Sequence, residues 1–198
     1  MAEVSMVSLR IDQTQLDHWL NSGLRYPSCY FNERPDPGDI SLLVIHCISL
    51  PQGCYRNQMV QQFFCGQLNT AIHPELHALT GLEVSAHLLI DRCGQYHQFV
   101  PFNRRAWHAG VSQFNGRENC NDFSIGIELE GIDSGAFTRA QYTALVAVTS
   151  VLLASYPKIT QQRIAAHSEI APGRKSDPGC GFDWDEYRQL LDSYVGQL

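Results

Sequence analysis

The sequence predicts an α/β (α+β) fold, a single domain over residues 1–198 with its core at about 41–178, in which a central mixed β-sheet is flanked by helices. Three observations carry that prediction. Residues 42–49, Leu-Leu-Val-Ile-His-Cys-Ile-Ser, form an apolar run of strand length that reads as a strand buried on both faces. Residues 123–130 alternate, with Ile125, Ile127 and Leu129 on one face and Gly126, Glu128 and Glu130 on the other. Helical stripes of 3.6-residue period stand between and after such strands rather than in a separate block. At 198 residues the chain can bury a core without disulfide or metal staples, so a metal here would serve function rather than folding.

Taken in order, Asp12 with Gln15, then Leu16, Trp19 and Leu20 before Gly23, predict a short capped helix. Residues 26–39, rich in Pro, Asn, Asp and Gly, predict a loop. Met59, Val60, Phe63 and Phe64 share one helical face and predict a helix over 57–65. Residues 85–91 and 96–100, joined through Gly94, read as a hairpin. The segment 105–110, Arg-Ala-Trp-His-Ala-Gly, breaks the pattern. Thr138 and Gln141 make a capping box for a long helix with Tyr142, Leu145, Val146, Thr149, Leu152, Leu153 and Tyr156 as its apolar stripe. Asp183 and Glu186 cap a last helix, with Tyr187, Leu190, Leu191 and Tyr194 expected inward.

Charge and cysteine usage narrow the function classes. A net charge of −6 without a basic stripe argues against nucleic acid and anionic membrane surfaces as partners. Residues 1–20 lack a basic segment followed by an apolar one, and no stretch reaches membrane-spanning length, so a cytoplasmic location is expected. The seven cysteines are odd in number and contain no Cys-x-x-Cys pair, which fits free thiols in a reducing compartment.

The chemistry concentrates in residues 166–179, Ala-His-Ser-Glu-Ile-Ala-Pro-Gly-Arg-Lys-Ser-Asp-Pro-Gly. Two prolines and two glycines exclude a regular helix or central strand through it, so side-chain chemistry is expected to account for its composition. His167 and Asp177 are donors that zinc accepts together, and in an extended segment Lys175 would point to the same side as Asp177. The competing reading is a polar surface loop. His46 sharpens the choice, because an imidazole near the end of a buried apolar strand needs a polar partner.

The motifs Leu-Val-Ile-His46-Cys-Ile-Ser-Leu-Pro, Val-Ser-Ala-His87, Arg-Ala-Trp107-His108-Ala-Gly, Ser-Ile-Gly-Ile-Glu128-Leu-Glu-Gly and His167-x-x-Ile-Ala-Pro-x-Arg-Lys175-x-Asp177-Pro-Gly occur in this order. Together they resemble the AmpD family of cytosolic zinc amidases, in register from about Ser41 to the last helix. The resemblance implies a fold shared with phage amidases and peptidoglycan-recognition proteins, with a zinc-bearing groove. It implies hydrolysis of the bond between N-acetylmuramic or anhydromuramic acid and L-alanine in recycled peptidoglycan fragments. It further implies one zinc ion held by His46, His167 and Asp177, with Glu128 and Lys175 catalytic and Trp107 and His108 bordering the substrate. A small muropeptide partner and a monomeric protein are the accompanying expectations.

Each assignment has a plainer rival. Glu128 shares its strand parity with Glu130, as residues on a solvated face would, and Asp177 before Pro178 could be a turn former. Cys180 competes as third ligand, since related phage amidases use a cysteine. Cys47, Glu83 and Asn119 stand where the family commonly has Asn, Arg and Arg, which bears on substrate grip rather than on the metal. The alternative function is a non-catalytic muropeptide-binding module. Another kind of zinc peptidase is disfavoured by the lack of His-Glu-x-x-His.

Overall fold

The computed structural model describes residues 9–11 and 18–196. Its strands are β1 (Leu24–Arg25), β2 (Phe31–Asn32), β3 (Leu42–Ile48), β4 (Leu88–Ile90), β5 (Tyr96–Gln98), β6 (Arg105–Ala106), β7 (Gln113–Phe114), β8 (Arg117–Glu118), β9 (Ser124–Glu130) and β10 (Ile164–Ala166). The α-helices are α1 (Met59–Phe64), α2 (Arg139–Ser155), α3 (His167–Ile170) and α4 (Trp184–Val195). Six strands form the main sheet in the order β1-β5-β4-β9-β3-β10, and β4–β5 is its antiparallel pair. This is the expected mixed sheet flanked by helices.

The alternation in β3 and β9 decides what lies on each side. Leu43, Ile45, Ile125, Ile127 and Leu129 join Leu145, Val148 and Leu152 of α2 and Tyr187 and Leu191 of α4 in one cluster. Leu42 and Val44 pack on the opposite face with Ala109, Phe123, Ala165 and Ile170. All seven residues of β9 are buried, so the face bearing Gly126, Glu128 and Glu130 is covered by protein rather than solvated. Thr138 and Gln141 close the expected capping box on α2, and the Asp183 side chain accepts from the Glu186 N–H at the start of α4.

Several expectations need correction. Residues 12–17, which carry most of the predicted first helix, lie outside the described residues, and Leu20 pairs with Ile11 in an isolated antiparallel bridge. The 26–39 loop contains the short strand β2, which pairs with β6. Tyr194 is 40% exposed, and Tyr187 and Leu191 are the residues that anchor α4 in the core it shares with α2. Residues 167–170 are helical, since Pro172 restricts the chain only from position 171 onward.

The same loop supplies Arg34, which no pattern singled out. It is only 3% exposed, and its guanidinium donates to the carbonyls of Asn121, Asp122, Phe102 and Ser124 at 2.8–3.2 Å. Burial lowers its pKa to about 10. Arg34→Met would remove the donors and leave four buried acceptors, so it is expected to cost about 3 kcal/mol or more in denaturant unfolding. An unchanged midpoint would show that water replaces the guanidinium.

Candidate functional site

Strand register sets the site. His46 of β3 and Glu128 of β9 are direct Cα partners, and Ala166 of β10 pairs with Ile45, so His167 enters beside His46 from the other flank. Three adjacent parallel strands thus deliver polar side chains at or near their C-terminal ends, the end at which open α/β sheets hold ligands. α3 starts at His167, with the Glu169 carboxylate accepting the Ala166 N–H at 2.6 Å. The His167 Nε2 lies 3.2 Å from the Ala109 carbonyl, which can only accept, so Nε2 carries the proton and Nδ1 keeps its lone pair.

Asp177 arrives on the turn that follows. Its carbonyl accepts from the Ser168 N–H at 3.0 Å, while the Ser176 hydroxyl donates to Asp133 at 2.8 Å. The Gly181 N–H donates to the Asp133 carbonyl at 3.0 Å. This approach requires glycine: a Cβ on Gly179 would lie 2.1 Å from the Asp133 oxygen, and one on Gly181 the same distance from that of Gly135. The 131–135 turn therefore holds the Asp177 loop in place.

The three donor atoms then converge. His46 Nδ1 is 3.0 Å from His167 Nδ1 and 3.2 Å from Asp177 Oδ2, and His167 Nδ1 is 3.0 Å from the same oxygen. Among the described residues this is the one group of three or more His, Cys, Asp or Glu side chains gathered closely enough to hold a metal ion. Burial lowers the His46 pKa to about 4, which favours the neutral imidazole that a metal ligand must be. Burial pushes the Asp177 carboxyl up, but the two imidazoles beside it, His167 and His46, more than reverse this and hold it below the usual carboxylate range. Cys180 is exposed and stands outside the cluster.

The same-parity glutamates separate by their partners. Glu130 accepts the backbone N–H of Arg56 at 2.7 Å and of Arg92 at 3.1 Å, one on each oxygen, and so ties two loops together. Glu128 is buried with Oε2 unpartnered. Burial, reinforced by Asp177 and opposed by Lys175, raises its pKa well above the usual value. A buried, unpaired carboxyl beside a metal-type cluster is what proton transfer needs and what a structural role does not.

These groups face a groove of about 300 Å³ whose lining includes His46, Glu128, His167, Asp177, Lys175 and Trp107. Lys175 is exposed at its edge, in the irregular stretch between the turn at 172–174 and the one that begins at Asp177. Trp107 is half-buried, fixed by its indole N–H donating to Asn32 at 2.9 Å, and its ring lies 6.2 Å from that of Tyr30. His108 lines the same groove beside Trp107. Its Nδ1 is 3.0 Å from His46 Nε2 and its Nε2 is 3.1 Å from the Ser124 hydroxyl, so both nitrogens are already engaged with protein. Cys47 borders the groove, whereas Glu83 and Asn119 line separate depressions.

Comparison with known proteins agrees with this geometry. Residues 36–180 match the family model described as N-acetylmuramoyl-L-alanine amidase. The 1,6-anhydro-N-acetylmuramyl-L-alanine amidase AmpD of Haemophilus influenzae is 55% identical over 160 residues, 81% of this chain and 87% of that protein. The protein of the same name from Escherichia coli K12 is 50% identical over 173 residues, 87% of this chain and 94% of its own length. A crystal structure of a selenomethionine AmpD derivative superposes with a TM-score of 0.86 at 49% identity, covering 88% of this chain and 97% of that one. The E. coli amidase AmiD, solved with the substrate anhydro-N-acetylmuramic acid-L-Ala-D-γ-Glu-L-Lys, gives a TM-score of 0.55 at 32% identity over 76% of this chain and 57% of that one. With the family model matching residues 36–180 and relatives 50–55% identical over more than four-fifths of the chain, the chain belongs to the N-acetylmuramoyl-L-alanine amidase family of enzymes.

Proposed function

We propose that the chain is a zinc-dependent amidase that hydrolyses the bond between N-acetylmuramic acid, in its anhydro form, and L-alanine in peptidoglycan fragments, and so serves wall recycling in the cytoplasm. The observation that carries this reading is the meeting of two imidazole nitrogens and one carboxylate oxygen within 3.2 Å, beside a buried carboxyl with a free oxygen. Donors about 2.0–2.1 Å from a tetrahedral zinc stand about 3.3 Å apart, close to the spacing of these three. A set of three protein ligands also leaves the fourth position that a catalytic zinc needs.

His46, His167 and Asp177 would hold the ion. When bound, zinc lowers the pKa of water toward about 7 and polarises a carbonyl oxygen. Glu128 takes the proton from the attacking water and passes it to the departing alanine nitrogen, for which its raised pKa suits it in both directions. Lys175, at the groove edge, donates to the oxyanion that attack creates, an effect of about 3 kcal/mol for one well-placed donor. Trp107 gives the sugar or peptide a flat apolar wall.

Incubation with an anhydromuramyl tripeptide followed by mass spectrometry tests this reading. Free anhydro-N-acetylmuramic acid and the intact peptide are the expected products. Measurable binding with unchanged substrate would instead favour the non-catalytic muropeptide-binding module.

A further inference from the structure

We propose that His108, held by Ser124 and seated over Gly126, is a positioning residue that fixes His46 in the tautomer whose Nδ1 lone pair faces His167 and Asp177. The inference rests on the metal reading above and extends it to residues behind the ligand set.

The direction of each hydrogen bond follows from the end of the chain. The Ser124 hydroxyl lies 2.5 Å from the Cys120 carbonyl, which has no proton to give, so the hydroxyl donates there. Toward His108 the Ser124 oxygen can then only accept, and at 3.1 Å it takes the Nε2–H. A neutral imidazole protonated at Nε2 is an acceptor at Nδ1, and the group 3.0 Å away is His46 Nε2. His46 must therefore carry its proton on Nε2, which leaves the Nδ1 lone pair for the cluster. His167 reaches the same state in one step through the Ala109 carbonyl.

The site is shaped for this relay. Ser124, Gly126 and Glu128 are alternate residues on one face of β9, so the serine, the seat and the reactive carboxyl stand in a row. A Cβ on Gly126 would meet the His108 ring at 2.5 Å, so the ring fits only over a glycine. His87 closes the far side, its Nδ1 accepting the Gly126 N–H at 3.0 Å and its ring 5.6 Å from that of His108. Gly inside a strand marks close approach of another group, and here the group is this imidazole. The His46 and His108 ring centroids stand 5.0 Å apart with the ring planes nearly perpendicular.

The test compares His108→Phe, which fills the ring volume without an acceptor, His108→Asn, whose amide oxygen takes the place of Nδ1, and Ser124→Ala. Zinc affinity is read by competition with a chromogenic chelator, and ring N–H protons by NMR of the zinc-loaded, histidine-labelled protein. We expect His108→Phe to weaken zinc binding by about 10–100-fold and His108→Asn to recover most of that loss. In Ser124→Ala the His108 Nε2–H should lose its protection from exchange, with zinc bound more weakly than in the wild type. Rescue by the smaller asparagine separates acceptor chemistry from packing. His108→Phe binding zinc as tightly as the wild type, or His108→Asn faring no better than His108→Phe, would overturn the proposal while leaving the metal reading intact. A wild-type protein that takes up no zinc would overturn the metal reading and this proposal with it.

Discussion

Replacing Glu128 with Gln is expected to lower kcat by about 10²–10⁴-fold, with zinc content and KM little changed. The variant removes the proton carrier while keeping size and hydrogen-bonding capacity, so binding survives and turnover does not. Stability supplies an independent check. Glu128 is buried with one oxygen unpartnered, and burial raises its pKa, so the fold carries a cost for holding it there. Glu128→Gln should therefore unfold at the same or higher denaturant concentration than the wild type, the usual trade between stability and activity at a reactive site. Glu130→Gln should behave in the opposite way. It weakens acceptance from the Arg56 and Arg92 N–H groups and should lower stability while leaving the chemistry nearby largely intact. Kinetics and unfolding of both variants check the pair, and a Glu128 variant that keeps full turnover would remove the proposed proton carrier.

Asp177→Ala is expected to abolish activity by a different route, through loss of the ion. Two imidazoles cannot form the ligand set of a catalytic zinc, so affinity should fall well beyond the about 10–100-fold typical of an outer-shell change. His167→Ala should do the same. Neither variant should unfold, because the sheet and its apolar faces do not depend on the cluster. Metal analysis after dialysis, together with far-ultraviolet circular dichroism, checks both points. Asp177→Ala retaining one zinc per chain would point to another third ligand, with Cys180 the first to test.

What could be read in the sequence and what could not divide along the range of the interactions. β3, β9, α2 and α4 were legible because periodicity and capping are local, and the structure returns them with shifts of one or two residues at their ends. The meeting of His46, His167 and Asp177 was reached only through the motif resemblance, since it depends on β10 pairing with β3 and on no pattern within either strand. Parity alone could not rank Glu128 against Glu130. Their difference lies in the Arg56 and Arg92 backbone N–H groups, which come from loops far away in the chain. Arg34 was invisible for the same reason: its acceptors are carbonyls, and a carbonyl leaves no signature in a sequence. Ser124 and Gly126 did leave a trace. A glycine inside a strand of otherwise large residues asks what approaches it, and His108 is the answer.

The most direct test of the zinc-amidase account is to measure metal and cleavage in the same protein. Purified wild-type chain should carry one zinc, lose cleavage of an anhydromuramyl peptide when a chelator removes it, and regain cleavage when one equivalent is returned. Full cleavage by verified metal-free protein would contradict the account.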